Sequence, residues 1–210
     1  MKSLLKKAVR GLMLLLVAPL VLLYLLLRLF SAKDALFSGF SQLLSLVPGV
    51  LGSYLRVAAY RLTMQQCAAD CYIGFGALFS QQGTRIGRGA YIGPQCNIGW
   101  CAIGDDTLLG SGVHILSGKN QHHIQDPTKP YKDQGGSFEQ VRIGSNCWLG
   151  NGAIVMASVG DGSIVGAGAV VTEAVPPGVI VVGNPARVLR TVAELQQQAT
   201  AKPEAGTQHD

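Results

Sequence analysis

Charge is scarce in this chain. Only 14% of its 210 residues are Asp, Glu, Lys or Arg, against 48% that are hydrophobic. An unfolded chain does not carry so much apolar surface on so little charge, which excludes intrinsic disorder. The length suits one soluble domain with a short additional segment. Acidic residues are absent from the first 33 positions, where Lys2, Lys6, Lys7, Arg10, Arg28 and Lys33 are followed by a lone Asp34. Beyond it the chain carries eleven basic and eleven acidic residues, so the net charge of +5 belongs to the N-terminus. A nucleic-acid binder carries its basic patch on the folded domain, and that class is set aside. Glycine, by contrast, is abundant: 27 residues, well above the usual ~7%. No collagen-like period of three accompanies it, so the excess belongs to turns that recur.

From Gly11 to Leu27 runs a Leu-rich stretch of 17 residues without a charge. At ~1.5 Å per residue it covers roughly 26 Å, slightly short of a ~30 Å hydrocarbon core. Arg28 at its end can snorkel to lengthen the span. No small-x-small cleavage site follows, which favours membrane attachment over a cleaved signal peptide. A second apolar stretch, Ala35 to Val47, breaks at Pro48-Gly49 and resumes through Val50–Tyr60. Lys2, Lys6, Lys7 and Arg10 precede the first run, while Arg56 and Arg61 follow the break. Under the positive-inside rule both ends then lie in the cytoplasm. A hairpin or re-entrant pair is expected, with the rest of the chain on the cytoplasmic face; a single crossing with an exported domain is the alternative.

The dominant pattern is a repeat of six. An aliphatic residue followed by Gly recurs at Ile73, Ile86, Ile92, Ile98, Ile103, Leu109, Ile143, Leu149, Val159 and Val165. Four residues after most of these comes a small or β-branched residue: Ala77, Ala90, Cys96, Thr107, Val113, Cys147, Ala153, Ser163 and Ala169. Six residues hold one short strand and one turn, and three such units make a triangular coil. The aliphatic side chains point inward and stack on those of the next coil, with Gly or a small polar residue at the corner. Several coils are needed before one continuous apolar column is buried.

Five cysteines include the loose pairs Cys67-x3-Cys71 and Cys96-x4-Cys101. Cys96 and Cys147 occupy the small-residue slot of the repeat, where a buried thiol behaves as a small hydrophobe. The odd count and a cytoplasmic location argue against a disulfide framework. The repeat halts after Ile115 and resumes at Ile143, leaving the polar stretch Leu116–Arg142 without a period. A loop this long in a solenoid usually has a function. It holds His122 and His123, with His114 just before it; His209 lies in a polar tail that reads as disordered from Thr200.

The pattern resembles the left-handed parallel β-helix of the hexapeptide-repeat acyltransferases. Three segments carry the resemblance to the C-terminal signature of that superfamily: Trp148-Leu149-Gly150-Asn151, the run Val165–Thr172, and Gly183-Asn184-Pro185-Ala186-Arg187. It covers about residues 70–190 and includes the galactoside and maltose acetyltransferases, which do not share the first 60 residues. What the resemblance implies is direct acetyl transfer from acetyl-CoA to a sugar hydroxyl, with a loop His as general base and the active site between two subunits of a homotrimer. Imidazole suits that role because its pKa lies near the working pH, and a backbone N–H can hold the tetrahedral oxyanion.

By direct count from Val113 the base of galactoside acetyltransferase falls at Asn120. The loop is therefore read as two residues longer, with His122 as the base and His123 and His114 as alternatives. For coenzyme A the resemblance points to Asn151, the backbone of Ala167, Thr172, and Arg187 and Arg190 as charge-assisted phosphate donors. Glu173 stands where a basic residue is common. The coil around Asn97–Cys101 is one residue short where the soluble enzymes contact sugar, and Asn97 remains the residue to bind an acceptor hydroxyl.

The expected organisation is a helical membrane-associated segment over 1–62, a β-helix over 63–190 with its excursion at 116–142, and a short helix with a tail over 191–210. Thr191-x-x-Glu194 is a capping box for that helix. The membrane segment suggests a lipid-linked or cell-surface polysaccharide intermediate as acceptor. Two other readings stand beside this one. One is a zinc hydratase like the trimeric carbonic anhydrases, which need three His and an open fourth position; here His122 and His123 are adjacent and the paired spacing is missing. The other is a non-catalytic trimeric scaffold. No metal is expected for the transferase.

Overall fold

The computed structural model describes residues 2–201. Three helices come first: α1 (Lys2–Leu27), α2 (Lys33–Ser45) and α3 (Gly49–Thr63). α1 contains Lys6–Leu27, the one helix among the described residues long and apolar enough to cross a membrane. The break between α2 and α3 falls at Pro48, whose extended backbone precedes α3, and at Gly49, which adopts φ +71°. The second apolar stretch therefore forms two short helices rather than a span. Phe37, Phe40 and Leu44 line one face of α2 and are buried.

These two helices close the open end of a solenoid. Ser41 Oγ accepts from the Phe79 amide at 2.8 Å and Ser53 Oγ from the Ile73 amide at 3.1 Å. Arg56 is fully buried, donating to the carbonyls of Ile73, Leu44 and Val47. That burial corrects the topology argument from charge. A guanidinium sealed on backbone carbonyls faces no lipid headgroup, so of the two cations after the break only Arg61 is exposed.

The solenoid winds through β1 (Gln66–Cys67), β2 (Tyr72–Ile73), β3 (Leu78–Phe79), β4 (Arg85–Ile86), β5 (Tyr91–Ile92), β6 (Asn97–Ile98), β7 (Cys101–Ile103), β8 (Leu108–Leu109) and β9 (His114–Ile115). After the excursion it resumes with β10 (Val141–Ile143), β11 (Trp148–Leu149), β12 (Ile154–Val155), β13 (Ile164–Val165), β14 (Val170–Val171), β15 (Val179–Val182) and β16 (Arg187–Thr191). Through β12 every third strand falls in the same sheet; beyond it the first side continues only as single bridges at Val159 and Val175, and β13 to β15 alternate between the other two sheets. The first sheet is β1-β4-β7-β10, the second β16-β15-β13-β11-β8-β5-β2 and the third β14-β12-β9-β6-β3. All pairings are parallel except β15 with β16, which turns back antiparallel and ends the second sheet.

The repeat works as its spacing implies. The aliphatic residues and the small residues four positions later are all buried, so each unit sends two side chains into the core. Glycine has two separate roles. The Gly directly after the aliphatic residue permits close stacking: a Cβ on Gly93 would meet the backbone of Gly110 at 2.7 Å. The residue two positions further on takes a left-handed backbone in coil after coil. Gly76, Gly89, Gly112, Gly152, Gly162, Gly168 and Gly178 do so, and Gln95, Asp106 and Asn146 adopt the same conformation at φ 59°, 55° and 52°.

The chain leaves the solenoid after β9 and folds back on itself as a narrow arm. Glu139 N donates to Ser117 O, Ser137 N to Asn120 O and His123 N to Gly135 O, each at 2.9 Å. At the tip Gln134 brackets Asp126, accepting from its amide and donating to its carbonyl. At the C-terminus Thr191 N donates to Glu194 Oε2 while Glu194 N donates to Thr191 Oγ1, closing the capping box of α4 (Val192–Ala201). α4 takes in Thr200, where the tail is expected to begin, and Thr200 Oγ1 donates to the Gln196 and Gln197 carbonyls; the rest of that tail lies outside the described residues. His209 lies outside the described residues.

Candidate active site

Alternation along a strand puts successive side chains on opposite faces. With Ile98 and Ile115 in the core, Asn97 and His114 stand on the outer face of the third sheet. They are ladder partners: Leu78, Asn97, His114, Ile154 and Val170 occupy successive rungs of that face. A cavity of about 420 Å³ opens over them, lined by Asn97, His114, Ser80, Ser117, Gln121 and Phe138 among others. Gln121 and Phe138 come from the arm. No repeat position marks either residue, so sequence reasoning missed both.

His122 and His123 lie on the arm, exposed. His123 lines a separate 370 Å³ cavity at the tip with Asp126, Lys129, Asp133 and Gln134. Hydrogen bonds from the Thr128 hydroxyl and amide hold the Asp126 carboxyl below its ordinary range. Within one chain, then, the His that meets Asn97 is His114 rather than either arm His. The arm is tied to the solenoid by Lys119, whose ammonium lies 2.9 Å from Glu173, just beyond β14. Glu173, an acidic residue where the resemblance leads one to expect a basic one, anchors the arm.

The residues assigned to the donor fall at three places. Asn151 and Ala167 follow Gly150 and Gly166 at the corner between the second and third sheets. Asn151 Oδ1 accepts from the Ser111 amide at 2.9 Å. Asp105 and Asp161 make the same tie to the Arg88 and Ser145 amides, so this oxygen has a stacking role. Thr172 stands at the opposite edge of the third sheet, beside Glu173. Arg187 and Arg190 project from β16, where they donate to the Ala186 carbonyl and to Gln198 Oε1. Among the described residues neither guanidinium meets a carboxylate, and both charges remain available to an anion.

All five cysteines are free thiols. Cys67 and Cys71 lie 3.7 Å apart sulfur to sulfur, and Cys96, Cys101 and Cys147 are buried in the core. Burial pushes the Cys96 thiol up to about 11 and the Cys101 thiol higher still. Among the described residues no group of three His, Cys, Asp or Glu is placed to hold a metal ion. Within one chain, then, no ligand set for the hydratase reading is assembled.

Three parallel sheets wound from six-residue units define a β-solenoid of hexapeptide repeats. Residues 83–117 match the family model described as bacterial transferase hexapeptide (six repeats), and residues 140–173 match that described as hexapeptide repeat of succinyl-transferase. Nodulation protein L of Rhizobium meliloti (strain 1021) is 40% identical over 110 residues, covering 49% of this chain and 57% of that protein. A probable acetyltransferase of Mycobacterium tuberculosis is 36% identical over 122 residues, covering 57% of this chain and 39% of that protein. The matched region thus spans about half the length of these relatives or less. Among solved structures, galactoside acetyltransferase in complex with coenzyme A aligns with a TM-score of 0.62 at 20% identity, over 79% of this chain and 84% of that one. A maltose O-acetyltransferase from Clostridium difficile 630 aligns with a TM-score of 0.57 at 21% identity, over 77% and 89%. At these identities the likeness is one of fold.

Proposed function

We propose that this chain is a membrane-associated O-acyltransferase that moves an acetyl group from acetyl-CoA to a hydroxyl of a sugar, carried on a lipid-linked or cell-surface polysaccharide intermediate. The observation that carries the reading is the cavity on the third sheet, where Asn97 and His114 meet the arm that bears His122 and His123. The solenoid is read as left-handed and trimeric, with the active site completed between subunits, in keeping with the resembled enzymes. The catalytic face is placed in the cytoplasm, where coenzyme A thioesters are made.

In this reading Asn97 binds the acceptor and His122 is the general base, with His123 in reserve. The unpaired charges of Arg187 and Arg190 suit the phosphates of the donor, and the Ala167 backbone, the Asn151 amide and Thr172 complete its contacts. Acetyl-CoA supplies the activated acyl group. The base takes the proton of the acceptor hydroxyl as its oxygen attacks the thioester carbon. The C–O bond forms, the C–S bond breaks, and the proton passes from imidazolium to the departing thiolate. No acyl-enzyme is required. The position of His114 beside Asn97 favours a second assignment of the same step, with His114 as the base.

The test is thiol release from acetyl-CoA by detergent-purified protein, with membrane glycolipid extract added or omitted, beside His122→Ala and His114→Ala. Extract-dependent release lost in His122→Ala supports the proposal as stated. Loss only in His114→Ala moves the base. Absence of acetyl-CoA binding overturns the transferase reading in favour of a scaffold.

A further inference from the structure

Met13, Val17, Val21 and Tyr24 recur at intervals of four, four and three, one stripe along α1, and all are buried. The opposite face is bare: Leu12, Leu15, Leu16, Leu22, Leu23 and Leu26 are 52–73% exposed. The buried stripe is held at both ends. Near its start Arg10 shares a crevice with Tyr54, Val57, Ala58 and Arg61 of α3. Near its end Leu20, Leu23, Tyr24 and Leu27 share an apolar cleft with Ala35, Leu36, Phe40 and Leu43 of α2, and the Tyr24 ring lies 4.7 Å from that of Phe40. α1 is therefore docked along its whole apolar length.

The layer it docks on is itself fastened to the first coil, through Ser41, Ser53 and Arg56. Packed helix axes lie ~8–10 Å apart, so all of the apolar segment stays within about one helix layer of the cap of the solenoid. A crossing by α1 would draw α2, α3 and the adjoining coil turns into hydrocarbon. Asp34, whose carboxylate accepts from the Gln82 amide, would go with them. Irregular backbone and paired polar groups of this kind are not exposed to lipid.

We infer that α1 is a monotopic anchor: it lies in the plane of the membrane interface, its inner face on α2 and α3 and its Leu-rich outer face in the acyl boundary, and it crosses no bilayer. Exposed Lys6 and Lys7 at one end and Lys33 beyond the other complement anionic headgroups. The apolar exposure continues at Phe30, 89% exposed, and at Leu43, which adjoins Leu23. Helices of this kind sink ~5–10 Å into the headgroup boundary and bind in proportion to apolar area and anionic charge. The inference rests on the membrane attachment proposed above and changes its geometry, since neither a hairpin nor a single span remains.

The full-length protein is mixed with vesicles of equal parts phosphatidylcholine and phosphatidylglycerol. Tryptophan is introduced singly at the exposed positions Leu12, Leu16 and Leu26, and quenching by lipids brominated at different depths is read. Trp100 and Trp148, in the solenoid, give a constant unquenched background. Equal, shallow depths at the three positions support the inference. A centre deeper than both ends, Leu16 against Leu12 and Leu26, overturns it while leaving membrane attachment standing. Protein that does not float with the vesicles overturns the attachment itself. Leu16→Lys with Leu22→Lys, both on the exposed face, is expected to lower vesicle binding at least tenfold with the β-sheet circular dichroism unchanged; unaltered binding would also overturn the inference.

Discussion

Arg56 grips the carbonyl oxygen of Ile73 with two nitrogens, Nε at 3.1 Å and Nη2 at 3.0 Å. Its third nitrogen reaches the Val47 carbonyl at 2.7 Å and the Leu44 carbonyl at 3.3 Å, at the C-terminal end of α2. A cation at that end complements the helix dipole, and burial lowers its pKa from the ordinary arginine value. One side chain thus joins two cap helices to the first coil.

Arg56→Ala leaves buried carbonyls without donors, and hydrogen bonds to charged groups contribute ~1.5–3 kcal/mol each. The expected loss is at least ~3 kcal/mol of stability, read as a fall in Tm. Arg56→Lys keeps the charge but loses the planar fork, so an intermediate fall is expected. Equal Tm for wild type and Arg56→Ala would show that the cap contributes nothing to solenoid stability.

The left-handed turn position gives an opposite-signed prediction. Gln95 holds φ 59° where other coils place Gly. Left-handed backbone costs a non-glycine residue roughly 1–2 kcal/mol, partly offset by the larger entropy that Gly loses on folding. Gln95→Gly is expected to raise stability by about 0.5 kcal/mol and Gly168→Ala to lower it by about 1 kcal/mol. Denaturant midpoints at unchanged m-value check both; a loss in Gln95→Gly would assign its side chain a packing role.

Phosphate recognition is tested by kinetics. Arg187→Ala and Arg190→Ala are expected to raise KM for acetyl-CoA about tenfold each, the effect of removing one charged hydrogen bond. Unchanged kcat marks a contact made equally in ground and transition states. A fall in kcat with KM constant would place these residues elsewhere in the reaction.

His122→Ala is expected to lower kcat by ~10²–10⁴, the range of general-base catalysis. A full rate in His122→Ala with that loss in His114→Ala would transfer the role.

The thiols make stability fall in alkali. Cys96 titrates at about 11 when folded because burial disfavours the thiolate. Its contribution is therefore complete below the unfolded value, about 8.5, and is lost as pH rises toward 11. The Tm should decline above pH about 9, and Cys96→Ala, small enough for its slot, should flatten the decline. At pH 8 only on the order of one Cys96 in a thousand is thiolate, so alkylation should require unfolding.

Much of this architecture is written in local pattern. A six-residue period forces inward pairs such as Ile92 with Cys96, because a strand alternates faces and the turn after it returns the chain to the core. Three-sidedness, coil stacking and the stop at Ile115 follow from that spacing, and the capping box is legible separately in Thr191-x-x-Glu194. The turn glycines were also visible, although their division into close-approach and left-handed positions needed coordinates.

The rest was decided by partners far away in sequence. Arg56 reads as a topology charge until the carbonyls of Leu44, Val47 and Ile73 surround it. His114 reads as one residue of a strand until parallel stacking sets it against Asn97 and the arm brings Gln121 and Phe138 alongside. Gly11–Leu27 reads as a span by length and composition, which do not record that Met13, Val17, Val21 and Tyr24 have found α2 and α3. Periodic sequence determines what repeats from coil to coil, because each unit meets the same surroundings. A cap, an arm and an anchor occur once, and their roles depend on which surfaces tertiary packing brings to them.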